Sequence, residues 1–95
     1  MAAYLIADIR VTDPDGYEEY RTRVSTVILF HGGKYVVRGG QAALLEGAGD
    51  PGRIVVLEFP SMQKLKTFYD STDYSALKDL RKRCSNSRIF AVEGL

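Results

Sequence analysis

The sequence predicts an α+β fold, a four-stranded antiparallel sheet with two helical segments on one of its faces. Three observations lead there. Four short runs are rich in β-branched and aromatic residues and too short for helices with a stripe of their own. The stretches between them carry apolar residues at helical spacing. Ninety-five residues suit one domain, 1–95, with no room for a second core.

Residues 4–11, Tyr-Leu-Ile-Ala-Asp-Ile-Arg-Val, give the first strand. Asp13 then caps a helix that Pro14 opens, and Tyr17, Tyr20, Val24, Val27 and Ile28 form its apolar stripe. Gly32-Gly33 ends it, and Lys34 to Arg38 is the second strand. Gly39-Gly40 predicts a bulge or bend before an extended run from Ala42 to Glu46, and Gly47 to Gly52 is a turn. Arg53 to Phe59 is the third strand. Pro60-Ser61 opens the second helical segment, with Leu65, Phe68 and Tyr69 as its buried side. A break at Ser71, Thr72 and Asp73 restarts it as a helix carrying Tyr74, Leu77, Leu80 and Cys84. Ser85-Asn86-Ser87 ends that helix, and Arg88 to Glu93 is the last strand.

The order β-α-β-β-α-β is the ferredoxin-like arrangement, with both helical segments on one side of the sheet. Alternate strand residues share a face. One set is apolar apart from a tyrosine hydroxyl: Leu5, Ala7 and Ile9; Tyr35 and Val37; Val55, Leu57 and Phe59; Phe90 and Val92. The opposite set is half apolar and half charged, and includes Tyr4, Ile6, Asp8, Arg38, Val56, Glu58 and Ile89. A bare face of that kind is an apolar patch that monomers avoid, so two sheets are expected to pack face to face as a twofold homodimer. Asp8, Arg38 and Glu58 are then costly to bury unless paired or functional.

Composition narrows the partners. Thirteen basic against twelve acidic residues leave +1, so the charge expected of a nucleic-acid binder is missing. The basic run from Lys78 to Arg83 reads as the solvated face of a helix. The single Cys84 forms no internal disulfide and fits a reducing, cytoplasmic setting. It is read as a small apolar residue on the last helical turn. No signal peptide and no membrane-spanning run is apparent. With one histidine and no His/Cys cluster, neither a metal nor a cofactor is expected.

Tyr17-Glu-Glu-Tyr20, Gly32-Gly-Lys-Tyr-Val-Val-Arg-Gly-Gly40, Leu45-Glu-Gly47, Arg53-Ile-Val-Val-Leu-Glu-Phe-Pro-Ser61, Phe68-Tyr-Asp-Ser71, Asp73-Tyr74 and Val92-Glu-Gly94 together form a recognisable pattern. Over about Tyr4 to Gly94 the chain resembles the domain of unknown function 1330 family, in the dimeric α+β barrel superfamily. The resemblance implies a ferredoxin-like protomer and a face-to-face homodimer. It implies no particular activity, since related families on this scaffold include cofactor-free monooxygenases, dehydratase-like and decarboxylase-like enzymes, and proteins without known chemistry.

The candidate site lies on the open face of the sheet, closed by a second copy of the chain. Arg38 is the first candidate ligand contact, able to hold a carboxylate or enolate through two bonds. Its structural alternative is an ion pair with Asp8 or Glu58. Those two carboxylates are candidates for a general base with a raised pKa, or else they only neutralise Arg10 and Arg38. His31 is a candidate acid or base, or a complement to a helix dipole. Tyr69, Ser71 and Tyr74, at the break between helical segments, are candidates to orient a polar ligand, or a core tyrosine and caps. Tyr4 is a candidate wall residue. Two readings of function follow: a cofactor-independent enzyme for a small organic acid or aromatic compound, and a non-catalytic binding or structural homodimer.

Overall fold

The computed structural model describes residues 1–95. It contains β1 (Ala3–Val11), α1 (Pro14–Phe30), β2 (Lys34–Arg38), β3 (Arg53–Phe59), α2 (Met62–Tyr69), α3 (Thr72–Cys84) and β4 (Ser85–Glu93). Alternation along β1 sets the layers. Ala3, Leu5, Ala7 and Ile9 are buried and the residues between them are half-buried, so one face takes the helices and the other stays open. The strands run in the order β2-β3-β1-β4 with every neighbouring pair antiparallel, the ferredoxin-like α+β arrangement that the element order predicts.

Local chemistry starts each helix. Pro14 pre-sets the first turn of α1, whereas Asp13 stands at the N-cap without the side-chain cap bond expected of it. Ser61 and Ser71 cap α2 and α3 by accepting from the backbone N–H groups of Lys64 (3.1 Å) and Tyr74 (3.3 Å). The helices close the core with Val24 and Ile28 from α1, Leu65 and Phe68 from α2, and Tyr74, Leu77 and Cys84 from α3. Phe68 stacks between Phe59 (5.2 Å between ring centres) and Tyr74 (4.6 Å). No helix is long and apolar enough to cross a membrane.

The structure departs from the sequence reading in four places. First, β4 has the opposite phase. Its register pairs Leu5 with Ala91 and Ala7 with Ile89, so Ile89 faces the helices, while Phe90 and Val92, opposite Ile6 and Tyr4, lie on the open face. The strand begins at Ser85, directly after α3, because Ser85 Oγ donates to the carbonyl of Arg81 (2.6 Å) and the Cys84 carbonyl accepts from the N–H groups of Thr12 and Asp13. Four consecutive apolar residues, Ile89 to Val92, gave no alternation from which to read the phase.

Second, the bulge lies inside β2. Tyr35 pairs with Leu57 and Val37 with Val56, leaving Val36 as the extra residue. Beyond it the faces exchange: Val37 joins the open face, and Arg38, opposite Val55, turns to the helix side. Third, Ala42 to Glu46 form no strand but part of an exposed loop. Fourth, Arg81 in the basic run is buried on the core stripe of α3 with Tyr74, Leu77 and Cys84.

Candidate functional site

On the open face, Asp8 and Glu58 stand opposite Ile54 and Tyr4 respectively, four residues apart along the ladder, or about 13 Å at the rise of a strand. They share a face but not a site. Asp8 Oδ1 accepts the N–H of Gly52 at 2.9 Å and anchors the loop after β2, helped by Arg10, which donates to the Asp50 carbonyl. Glu58 pairs with Lys34 at 3.6 Å. Tyr4 lies on the same face, its ring against Gly94. The Asp8–Arg38–Glu58 cluster expected from the sequence is therefore not assembled, because the β2 bulge takes Arg38 to the other side.

The remaining candidates divide between the helices. His31 Nε2 lies 2.9 Å from Asp73 Oδ2 and joins the end of α1 to the first turn of α3. That hydrogen bond is the main reason the Asp73 carboxyl is held below its ordinary range. Ser71 caps α3 and donates to the Phe68 carbonyl at 2.7 Å. Tyr69 is half-buried under the Lys78 ammonium, 4.0 Å from its ring centre. Tyr74 is buried, its hydroxyl 2.9 Å from that of Tyr20.

Arg38 and Tyr74 both line a cavity between the helices and the sheet, walled mostly by apolar residues such as Leu5, Ala7, Val24 and Leu57. Its volume is about 40 Å³, room for roughly three waters at ~10–15 Å³ each. At its mouth the Arg38 guanidinium lies 4.4 Å from the ring centre of Tyr35 and donates to Ser25 Oγ at 3.1 Å. The Arg53 Nε donates to Tyr17 Oη at 3.1 Å. Burial raises the Tyr17 pKa despite the opposing Arg53 charge, so the phenol stays protonated. Arg21, also in the wall, is neutralised by Glu18 at 2.6 Å. Arg38 and Arg53 form no ion pair.

Gly39 permits this mouth. Its φ of +71° suits glycine, its N–H donates to the Ile54 carbonyl at 2.7 Å, and a side chain there would collide with the Arg53 guanidinium. No three His, Cys, Asp or Glu side chains converge anywhere in the chain. The cavity therefore combines an apolar interior with two uncompensated cations at its entrance.

The chain belongs to the family of the domain of unknown function DUF1330. The family's model matches residues 2–95. None of the curated proteins matches the sequence. A Rhodopseudomonas palustris protein of unknown function has a similar fold, with a TM-score of 0.81 at 18% identity over 99% of this chain and 82% of its own. SnoaB of Streptomyces nogalater, a cofactor-independent oxygenase, superposes with a TM-score of 0.69 at 11% identity, covering 99% of this chain and 93% of SnoaB. A dimeric ferredoxin-like protein of unknown function from Thermobifida fusca gives 0.61 at 20% identity, covering 97% of this chain and 92% of its own. At these identities the likeness is one of fold.

Sequence reasoning missed Arg53 and Tyr17 beside the cavity, and the burial of Arg81. The signal for Arg53 was present: it has the parity of Val55, Leu57 and Phe59, so a charge sits at the end of a core-facing row. Arg81 likewise falls seven residues after Tyr74 on the buried stripe.

Proposed function

We propose that this protein binds a small, largely apolar organic anion between its helices and sheet, and that it does so as a homodimer. The observation that carries the reading is the pair of guanidiniums, Arg38 and Arg53, at the mouth of an apolar cavity without carboxylate partners. A guanidinium fork matches a carboxylate or phenolate, and the apolar walls suit a ring or short chain. The cavity, about 40 Å³, is far below the ~300–1,000 Å³ of ordinary ligand sites. Arg38 and Arg53 must swing aside to admit the ligand, and they then lie over its charged end. Support for the dimer comes from Phe90, Val92 and Val37 exposed on the open face, and from the dimeric Thermobifida fusca neighbour.

The test is calorimetric titration with benzoate, the simplest aromatic carboxylate. Wild type is expected to bind it, and Arg38→Met and Arg53→Met each to weaken it by about tenfold or more. No binding by wild type, or wild-type affinity in both variants, defeats the reading.

Cofactor-independent catalysis is a second reading, favoured by the same two cations. They stabilise the deprotonated form of an enol or phenol, and SnoaB offers an example of a cofactor-independent oxygenase on this fold. Mass spectrometry after aerobic incubation with a bound phenolic acid separates the two readings. A new product that disappears in Arg53→Met favours catalysis, and unchanged acid leaves binding alone.

A further inference from the structure

Arg81 is a buried charge that the mouth of the cavity does not use. It is 3% exposed, its Nε has no hydrogen-bond acceptor, and no carboxylate lies within 4.0 Å. A guanidinium cannot discard its proton, so burial normally brings a paired anion. Here the neighbours are phenols. Burial is the largest influence and opposes the Arg81 charge, and the phenols of Tyr74 and Tyr20 beside it favour the charge without supplying a carboxylate. The two hydroxyls bond to each other at 2.9 Å, which uses one of their two protons and leaves the second for another acceptor. Lys78 adds a further cation, 4.0 Å from the ring centre of Tyr69.

Arg81, Tyr20 and Tyr74 line the same cavity as Arg38 and Arg53. Arg38 stands on one edge strand, whereas Arg81 packs beside Ser85 and Ile89 of the other. Three strand spacings, about 14 Å, separate those edges. The cavity is therefore cationic at both sides and apolar between them.

We propose that Arg81 and the Tyr20–Tyr74 hydroxyls form a second oxygen-binding pole of this cavity, so that its ligand is an apolar acid carrying a second oxygen function remote from the group held by Arg38 and Arg53. The proposal rests on the cavity reading above. A hydroxyl, a carbonyl or a second carboxylate satisfies the pole, and a monofunctional acid leaves it unpaired.

The test compares benzoate with meta- and para-hydroxybenzoate on wild type, Arg81→Met and Arg81→Lys, by calorimetry and thermal unfolding. Wild type is expected to bind at least one hydroxy acid about tenfold or more tighter than benzoate, as sites built to pair a hydroxyl do. Arg81→Met should lose that gain while keeping its affinity for benzoate, and should melt no lower than wild type when empty, because an unpaired buried charge has been removed. Should Arg81→Met fail to fold, Arg81→Lys carries the comparison, and it too should lose the gain. A hydroxyl gain that is absent in wild type or survives in the tested variant overturns the proposal. So does a folded Arg81→Met that melts several degrees lower. Benzoate binding without any hydroxyl gain defeats Arg81 alone, whereas a wild type that ignores benzoate defeats the cavity reading as well.

Discussion

Asp8 joins the tip of the sheet to the loop after β2. Its carboxylate accepts the Gly52 N–H at 2.9 Å, and a side chain on Gly52 would stand 2.6 Å from the Ile9 carbonyl oxygen. The approach is close because the loop re-enters the sheet there, one residue before β3. Replacing Asp8 by alanine is expected to cost about 1.5–3 kcal/mol, the range for a hydrogen bond to a charged group. Asp8→Asn keeps an acceptor and should recover most of it. Urea unfolding of the two variants checks this, and an Asp8→Ala midpoint equal to wild type would remove Asp8 from the role of anchor. Its position on the open face was legible from strand parity, but its partner was not. A backbone N–H supplied by a loop glycine leaves no trace in residue type, whereas a nearby arginine attracts the eye as an ion-pair partner.

Among the elements, the contact between α1 and α3 carries a pH dependence. His31 ends α1, and Asp73 lies in the first turn of α3, where the helix dipole also favours a negative charge. The folded protein holds the Asp73 carboxyl below its ordinary pKa, chiefly through the His31 bond. Stability from a depressed carboxyl is present above the ordinary aspartate value and is lost as pH falls through the lower folded one. Wild type should therefore lose melting temperature below about pH 4 more steeply than Asp73→Asn. Melting curves followed by circular dichroism decide it, and parallel slopes would rule the pair out as a source. The elements themselves were largely readable: Pro14, Ser61 and Ser71 open the three helices as their side chains predict. Unreadable was the β2 bulge, because the signal at Gly39-Gly40 marked the end of the strand rather than the inserted residue. The β4 phase was equally hidden, since both parities of Ile89 to Val92 are apolar and only the register with β1 selects one.

At the scale of the whole molecule, the protein is a slab of 33 × 32 × 17 Å with its open sheet on one broad side. Two such faces easily supply the ~800 Å² per partner of a standard interface. Phe90 and Val92 are 50% and 45% exposed on that side, which makes it more apolar than the sequence phase implied. Placing a charge there, as in Phe90→Glu, is expected to shift the proposed dimer to monomer without unfolding the chain. Sedimentation velocity with circular dichroism distinguishes the outcomes, and an unaltered dimer would place the contact elsewhere. The same slab gives the Val36 insertion a larger meaning. A ribbon with a period of two has a parity, and one surplus residue inverts it for whatever follows. The chain spends that inversion on two residues only, moving Val37 outward and Arg38 inward before Gly39 closes the strand. One surplus residue thereby sets both an apolar side chain on the open face and a cation beside the cavity. Loss of one codon at Val36 would straighten the ribbon yet keep Val37 opposite Val56 and Arg38 opposite Val55, because the deletion removes the surplus residue and not the pairing.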